Sequence, residues 1–362
     1  MNWVLIFLGF SALVILHEAG HFFAAKATGM RVEKFFLFFG PKLVSVKRGE
    51  TEYGVACIPA GGYVKISGMH PEDKLPPEEE HRGYYEQPVW KRIVVIGAGP
   101  AVNIVLAFAI LFALGFSVRA ANRTVEEVRP DTPAAAKLKP GDTILAVDGH
   151  SYRDLTGQDL VDRFREEIGS HECPGKQVDG CLAATPVVLT VRRDGEVRRV
   201  VVKPEYSAAA KRALVGFGYG SESAGYGASD AAGWAADQMW FVSTRTVAVF
   251  ARLFEADKRE EVSGVVGVSA VANETIDLGT KEALFLLAIV SLSLGLINLF
   301  PFLPLDGGHI FWSLVEKVRG RPVPYRVMER AGALGFVLVI MLFFLGLTND
   351  IGRLAGEGFH VR

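Results

Sequence analysis

The run His17-Glu18-Ala19-Gly20-His21 has residue types and spacing that could do chemistry. On a helix, residues i and i+4 share a face, so both imidazoles can reach one cation. Glu18 sits one residue round, where a carboxylate could take a proton from a metal-bound water. Histidine pairs also arise on helices without binding metal, and location decides between the two readings. Trp3 to Leu16 ahead of the cluster and Phe22 to Ala25 behind it are apolar. Ionisable groups inside an apolar, membrane-length helix are expensive and mark function by default. Three of them at ligand spacing have no cheap structural explanation.

Two histidines do not complete a catalytic zinc site, which takes three protein ligands and a water. The third is expected from another membrane segment, and the stretch from Asn298 to His309 offers candidates. Pro301 and Pro304 interrupt a helix there, and Asp306 follows beside Gly307 and Gly308. Asp306 could be a ligand, or it could end the loop as an N-cap for the segment Ile310 to Val318. His309 competes as a ligand, and spacing alone leaves the choice open.

The elements that hold these residues show in the distribution of charge. Of 362 residues, 50% are hydrophobic and 22% charged, and 39 basic against 40 acidic residues give a net charge of −1. That balance argues against a nucleic-acid partner. A mean hydropathy of +0.25 beside an ordinary charged fraction implies segregation along the chain. Ile93 to Val118, Ala283 to Leu303 and Ala331 to Leu347 carry no charged residue. With the N-terminal run they make about four membrane helices, each near the ~20 residues that span a bilayer. The N-terminal run lacks a basic flank and a small-residue cleavage site, so it reads as a retained helix, not a signal peptide.

Lys26, Arg31 and Lys34 follow the first helix, Lys91 and Arg92 precede the second, and five basic residues from Lys317 to Arg330 link the last two. The positive-inside rule puts these loops in the cytoplasm, and the long segment between helices 2 and 3 outside with both termini. That outer segment holds a small α+β domain with a hairpin: Val187, Leu189 and Val191 alternate, Asp194-Gly195 turns, and Val197, Val200 and Val202 return. Gly216 to Gly227 reads as a linker. Ala231 to Phe254 reads as an amphipathic helix with Trp240, Val247, Phe250 and Phe254 on one face, either in the bilayer interface or against the soluble domain. The expected division is 1–120 (two helices and a cytoplasmic hairpin segment, 40–90), 121–205, a linker and helix over 206–280, and a membrane region over 281–362.

The H-E-x-x-H in the first membrane helix, paired with Asn298-Leu-Phe-Pro301 and Leu305-Asp306-Gly307 in a later one, resembles the site-2 protease family of intramembrane zinc metalloproteases. The run DTPAAAKLKPGDTILAVDG, Asp131 to Gly149, resembles the PDZ domain of its bacterial regulator-of-sigma-E branch. The best-known members carry two tandem PDZ domains; this chain shows one. The resemblance implies a multi-pass α-helical protein of the bacterial inner membrane, with a re-entrant β-hairpin and an extracytoplasmic PDZ domain over 121–205. It makes Asp306 the third Zn²⁺ ligand beside His17 and His21, and Glu18 the catalytic acid/base. It gives Asn298 a substrate or oxyanion contact, where helix packing is the alternative. It also makes Gly54, Val55, Ala56, Cys57, Ile58, Gly61 and Gly62 part of a hairpin that binds substrate as an added strand; without it the segment reads as a soluble hairpin. The implied substrates are single-pass membrane proteins such as anti-sigma factors or signal-peptide remnants. A peptide or substrate ectodomain would meet the PDZ domain.

Three cysteines exclude a disulfide-built scaffold. Cys173 and Cys181 lie in the outer domain, where an oxidising exterior permits a bridge; Cys57 reads as a small apolar filler. Two other classes compete. A metal permease would line a path with the same residues, but two similar halves are missing. A PDZ-bearing scaffold would not need the full set of zinc-site residues.

Overall fold

The computed structural model describes residues 2–69, 75–252 and 264–355. In chain order its elements are α1 (Asn2–Ala27), β1 (Val32–Arg48), β2 (Thr51–Ile66), α2 (Val89–Gly115), β3 (Arg119–Val128), β4 (Thr143–Val147), α3 (Gly157–Gly169), β5 (Val187–Arg193), β6 (Glu196–Val202), β7 (Glu205–Ser207), β8 (Arg212–Leu214), β9 (Phe217–Ser223), α4 (Ala228–Arg252), α5 (Val265–Leu278), α6 (Thr280–Asn298), α7 (Asp306–Arg319) and α8 (Tyr325–Ala355). They form two compact units, Gly115–Asp230 and the combination of Met1–Leu114 with Ala231–Arg362.

Four helices are long and apolar enough to cross a membrane: α1, α2, α6 and the stretch Arg326–Arg353 of α8. Leu334, Val337 and Phe344 of α8 and Trp3, Leu5 and Leu8 of α1 are exposed, as expected of helices whose solvent is lipid. The chain is thus a multi-pass helical membrane protein with a β-rich domain. Glycines set the helix contacts. A Cβ on Gly20 of α1 would lie 2.6 Å from the Ala98 carbonyl oxygen of α2, and one on Gly295 of α6 would lie 3.0 Å from that of Pro100. Small residues let backbones meet where burial from water supplies no driving force.

Helix α4 packs on two of the membrane-length helices, α2 and α6. Ala235 packs with Leu111 of α2 and Ala288 of α6, and Val242 with Ala107 and Leu292. Trp240, which marks the apolar face, is 74% exposed. Ala235 and Val242 make the buried face with Trp234 and Met239 against it, while Trp240 and Val247 are exposed. Phe254 lies outside the described residues. Helix α5, inside the expected linker region, packs on α1, α6 and α8. Its N-terminus is held by Asp350 of α8, which accepts from Gly264 N at 3.0 Å and Gly267 N at 2.8 Å.

Strands β1 and β2 are each folded in two, with positive φ at Phe38 and Gly40 in the first and at Gly61 in the second. The outcome is a four-segment sheet. Phe35 faces Tyr53 on one side and Val64 on the other, while Val44 to Val46 cover the far side of Tyr53 to Val55. Tyr63 stacks between Phe36 and Phe39, with centroids at 5.6 and 5.7 Å. Phe22, Met30, Val32, Ile66, Tyr84, Val95 and Ile96 form the core joining this sheet to α1 and α2.

The second unit is a five-stranded sheet in the order β6-β5-β4-β3-β9 with α3 packed on it. Val187, Leu189 and Val191 are buried and share a core with Ile144, Leu160 and Phe164. The β5–β6 turn forms at Asp194 and Gly195, with φ of 51° and 83°. One expectation is corrected: Gly216 to Gly227 is not a linker, because β9 pairs with β3 from Phe217↔Val128 to Ser223↔Arg119. Phe217 and Tyr219 pack against the core. The glycines serve close approach: a Cβ on Gly220 would lie 2.8 Å from Asn122 Oδ1. The sheet therefore runs past both expected domain limits, 121 and 205.

Candidate metal centre

Helix α1 presents His17 and His21 one turn apart, both buried, with ring centroids 4.8 Å apart. The third group arrives from α7, whose first residue is Asp306. The chain leaves α6 at Asn298, folds through the proline-containing loop and re-enters a helix at once. Gly307 makes this possible, since a Cβ there would lie 2.2 Å from the Leu299 carbonyl oxygen. Asp306 Oδ2 then lies 3.0 Å from His17 Nε2 and 3.3 Å from His21 Nε2, and the two Nε2 atoms are 3.2 Å apart. Among the described residues these are the three ligand-type side chains whose donor atoms fall within 4.8 Å of one another. His309 is not among them, and Asp306 does not cap α7: it is the first residue of that helix, whose N-cap is Leu305 with no side-chain cap.

The donor chemistry fits a cation. His21 Nδ1 lies 2.9 Å from the Val95 carbonyl oxygen, so Nδ1 carries the proton and the Nε2 lone pair faces inward. Asp306 Oδ2 is buried and receives no hydrogen bond among the described residues. Electron pairs on two imidazoles and a carboxylate cannot converge stably without a positive charge between them. Two nitrogens and one oxygen are a ligand set that Zn²⁺ takes, leaving a position for water. Room for it depends on Gly99 of α2: a Cβ there would lie 2.3 Å from His21 Nε2 and 2.9 Å from His17 Nε2.

Glu18 is half-buried and lies within the field of His21, His17 and Asp306. The Val64 backbone faces its carboxylate, and a Cβ on Gly62 would lie 3.2 Å from its Cγ. The segment beside Glu18 is thus the second half of β2. Gly62 to Ile66 has one paired strand neighbour among the described residues, Val32 to Leu37, and its other edge carries no strand among them, with Val64 meeting Glu18. Gly54 and Val55 are paired on both sides. They are interior to the sheet and leave no edge for an added strand. Ala56 is buried, while Cys57 and Ile58 are exposed, so Cys57 is not the packed filler its size suggests. Asn298 donates from Nδ2 to the Leu294 carbonyl of its own helix at 3.0 Å. Cys173 and Cys181 are bonded in the β-rich unit.

A contribution the sequence does not reveal comes from α2. Val95, Gly99 and Asn103 recur every four residues and so share one face. They supply the His21 acceptor, the space, and an amide 3.4 Å from His17 Nδ1. Arg92 of the same helix, 2% exposed, forms a bidentate pair with Glu316 of α7 at 2.6 and 3.0 Å. Its guanidinium also stands over the Tyr84 and Tyr85 rings at 5.9 and 5.5 Å. This pair ties the helix carrying Asp306 to the helix behind the histidines.

A histidine pair and a neighbouring Glu on a membrane-length helix, met by a carboxylate at the start of α7, are the parts of a metallopeptidase. The chain belongs to peptidase family M50, which it matches over residues 5–342. It is 30% identical over 392 residues to zinc metalloprotease Rip1 of Mycobacterium tuberculosis, covering 96% of each chain. It is 31% identical over 374 residues to a protein of Rhizobium meliloti provisionally named a zinc metalloprotease, covering 95% of this chain and 94% of that one. A Clostridium perfringens protein with the same provisional name is 30% identical over 358 residues, covering 97% of this chain and 98% of its own. Similarity to the crystal structure of a PDZ domain from Listeria innocua, at 22% identity and a TM-score of 0.20 over 27% of this chain, is too slight to define a fold.

Proposed function

We propose that this metalloprotease is a zinc enzyme that cleaves peptide bonds within the transmembrane segments of single-pass proteins. The observation carrying this reading is the convergence of His17, His21 and Asp306 on one point of a membrane-length helix, with Glu18 beside them. In this reading His17, His21 and Asp306 hold Zn²⁺, as the relatives' names suggest. When bound, the ion supplies a water of lowered pKa and polarises the scissile carbonyl. Glu18 accepts the proton of the attacking water on its carboxylate and delivers it to the leaving amine.

A helical peptide bond is wrapped in its own hydrogen bonds, so the substrate must unwind before water reaches it. In lipid the freed N–H and C=O groups then need partners. The edge of Gly62 to Ile66 that carries no strand among the described residues, next to Glu18, offers them by strand addition. In this role β1 and β2 form a hairpin re-entering the membrane, and the substrate strand lies along Gly62 and away from Gly54 and Val55. Asn298 is a second candidate contact to the unwound substrate.

The β-rich unit is read as a PDZ domain on the extracytoplasmic side of a bacterial inner membrane, with the basic loops in the cytoplasm. Its strand β9 lies at a sheet edge, beside a cavity of about 550 Å³ lined by Val161 and Arg165 of α3 and by Phe217 and Tyr219. An extended peptide or a substrate ectodomain could dock there. Anti-sigma factors and signal-peptide remnants are the substrate class the reading favours.

Elemental analysis of purified wild type and Asp306→Ala tests the ligand set. About one zinc per chain in the wild type and a large loss in the variant are expected. Equal zinc in both moves the third ligand elsewhere.

A further inference from the structure

Asn103 is fully buried in a membrane helix, and the mechanism above does not use it. A buried amide in such a place is expensive and calls for an explanation. Its backbone carbonyl accepts from Ser291 Oγ of α6 at 2.9 Å, which fixes the backbone. The side chain is a separate matter. Nδ2 lies 3.4 Å from His17 Nδ1, and Oδ1 is buried with no hydrogen-bond partner among the described residues.

We infer that Asn103 is a positioning residue for His17, its side-chain carbonyl accepting the Nδ1 proton and fixing the tautomer whose Nε2 lone pair faces the metal. This rests on the zinc-site reading above. A ring that binds metal through Nε2 is neutral and carries its proton on Nδ1. That proton needs an acceptor, and an NH₂ group cannot be one. A half turn of the carboxamide exchanges Nδ2 for the unpartnered Oδ1 and makes the required bond. Helix α2 then serves both ligands alike: the Val95 carbonyl orients His21, the Asn103 carbonyl orients His17, and Gly99 midway between them leaves the space. Such outer partners fix ring orientation and raise ligand basicity.

The test uses the full-length protein in detergent micelles, with zinc affinity measured by competition against a chromogenic chelator. Asn103→Asp keeps an acceptor and removes the amide donor, while Asn103→Leu has similar volume and neither group. Asn103→Leu is expected to bind zinc about 10–100-fold more weakly, and Asn103→Asp to stay within about threefold of wild type or to bind more tightly. If the leucine variant does not fold, Asn103→Ala takes its place with the same expectation. Wild-type affinity in the leucine or alanine variant overturns the inference. So does an aspartate variant as weak as they are, since Asn103 would then be a donor or mere packing. A wild type that binds no zinc at all overturns the metal-site reading itself, so the two failures are distinguishable.

Discussion

Gly99 of α2 stands directly against His21 of α1, with a Cβ at that position falling 2.3 Å from the imidazole Nε2. The position can hold no side chain while the histidines converge, because the nearest atoms belong to the two rings themselves. Gly99→Ala is expected to lower zinc affinity at least about 10-fold, on the scale of a disturbed ligand shell. Thermal unfolding of the metal-free protein should change far less. Chelator competition and an unfolding curve measure both, and an alanine variant with wild-type zinc affinity contradicts the packing described here.

The Arg92–Glu316 pair should matter for stability more than a surface ion pair does. Removing one partner leaves a buried charge uncompensated, and Glu316→Gln is expected to cost about 3–5 kcal/mol. The double variant Arg92→Leu with Glu316→Leu should be milder than the sum of its single variants, since no lone charge remains. Thermal unfolding in micelles across the four proteins gives the coupling. Additive effects would mean that the two residues act independently.

At the base of the folded sheet, hydrogen bonds from Arg82, at 2.7 and 2.9 Å, and a further one from Lys26 hold the Glu50 carboxyl down to about 2. A carboxylate depressed in the folded state stabilises it above the ordinary value of 4.5, and the contribution disappears as pH falls from there toward 2. Wild type is therefore expected to lose thermal stability over that interval more steeply than Glu50→Gln. Parallel pH profiles would remove Glu50 from the account.

Much of the centre was legible in the sequence because helical spacing is a rigid rule. His17, Glu18 and His21 stand out where apolar residues surround them, and Asp306 stands out beside a glycine pair. The choice of Asp306 over His309 was not legible from spacing. It depends on how the loop after Asn298 folds back on Leu299, a contact that Gly307 permits. The share of α2 was hidden for a different reason. A backbone carbonyl at Val95 carries no side-chain signal, and Gly99 and Asn103 read as ordinary small residues in an apolar run. In the β-rich unit, glycine misled: the close approach of β9 to β3 needs the same residue that marks a linker. The pairing of β1 with β2 does not show in the sequence, because bends at Phe38, Gly40 and Gly61 put Gly54 and Val55 inside the sheet.

The central claim is that Glu18 moves the proton while His17, His21 and Asp306 hold the metal. Cleavage of a model single-pass substrate by purified wild type and Glu18→Gln, with zinc measured in both, tests it most directly. The account predicts equal zinc in the two proteins and loss of turnover in the variant by at least about 100-fold, the low end for a general base. A Glu18→Gln protein that keeps its zinc and still cleaves at the wild-type rate would contradict it.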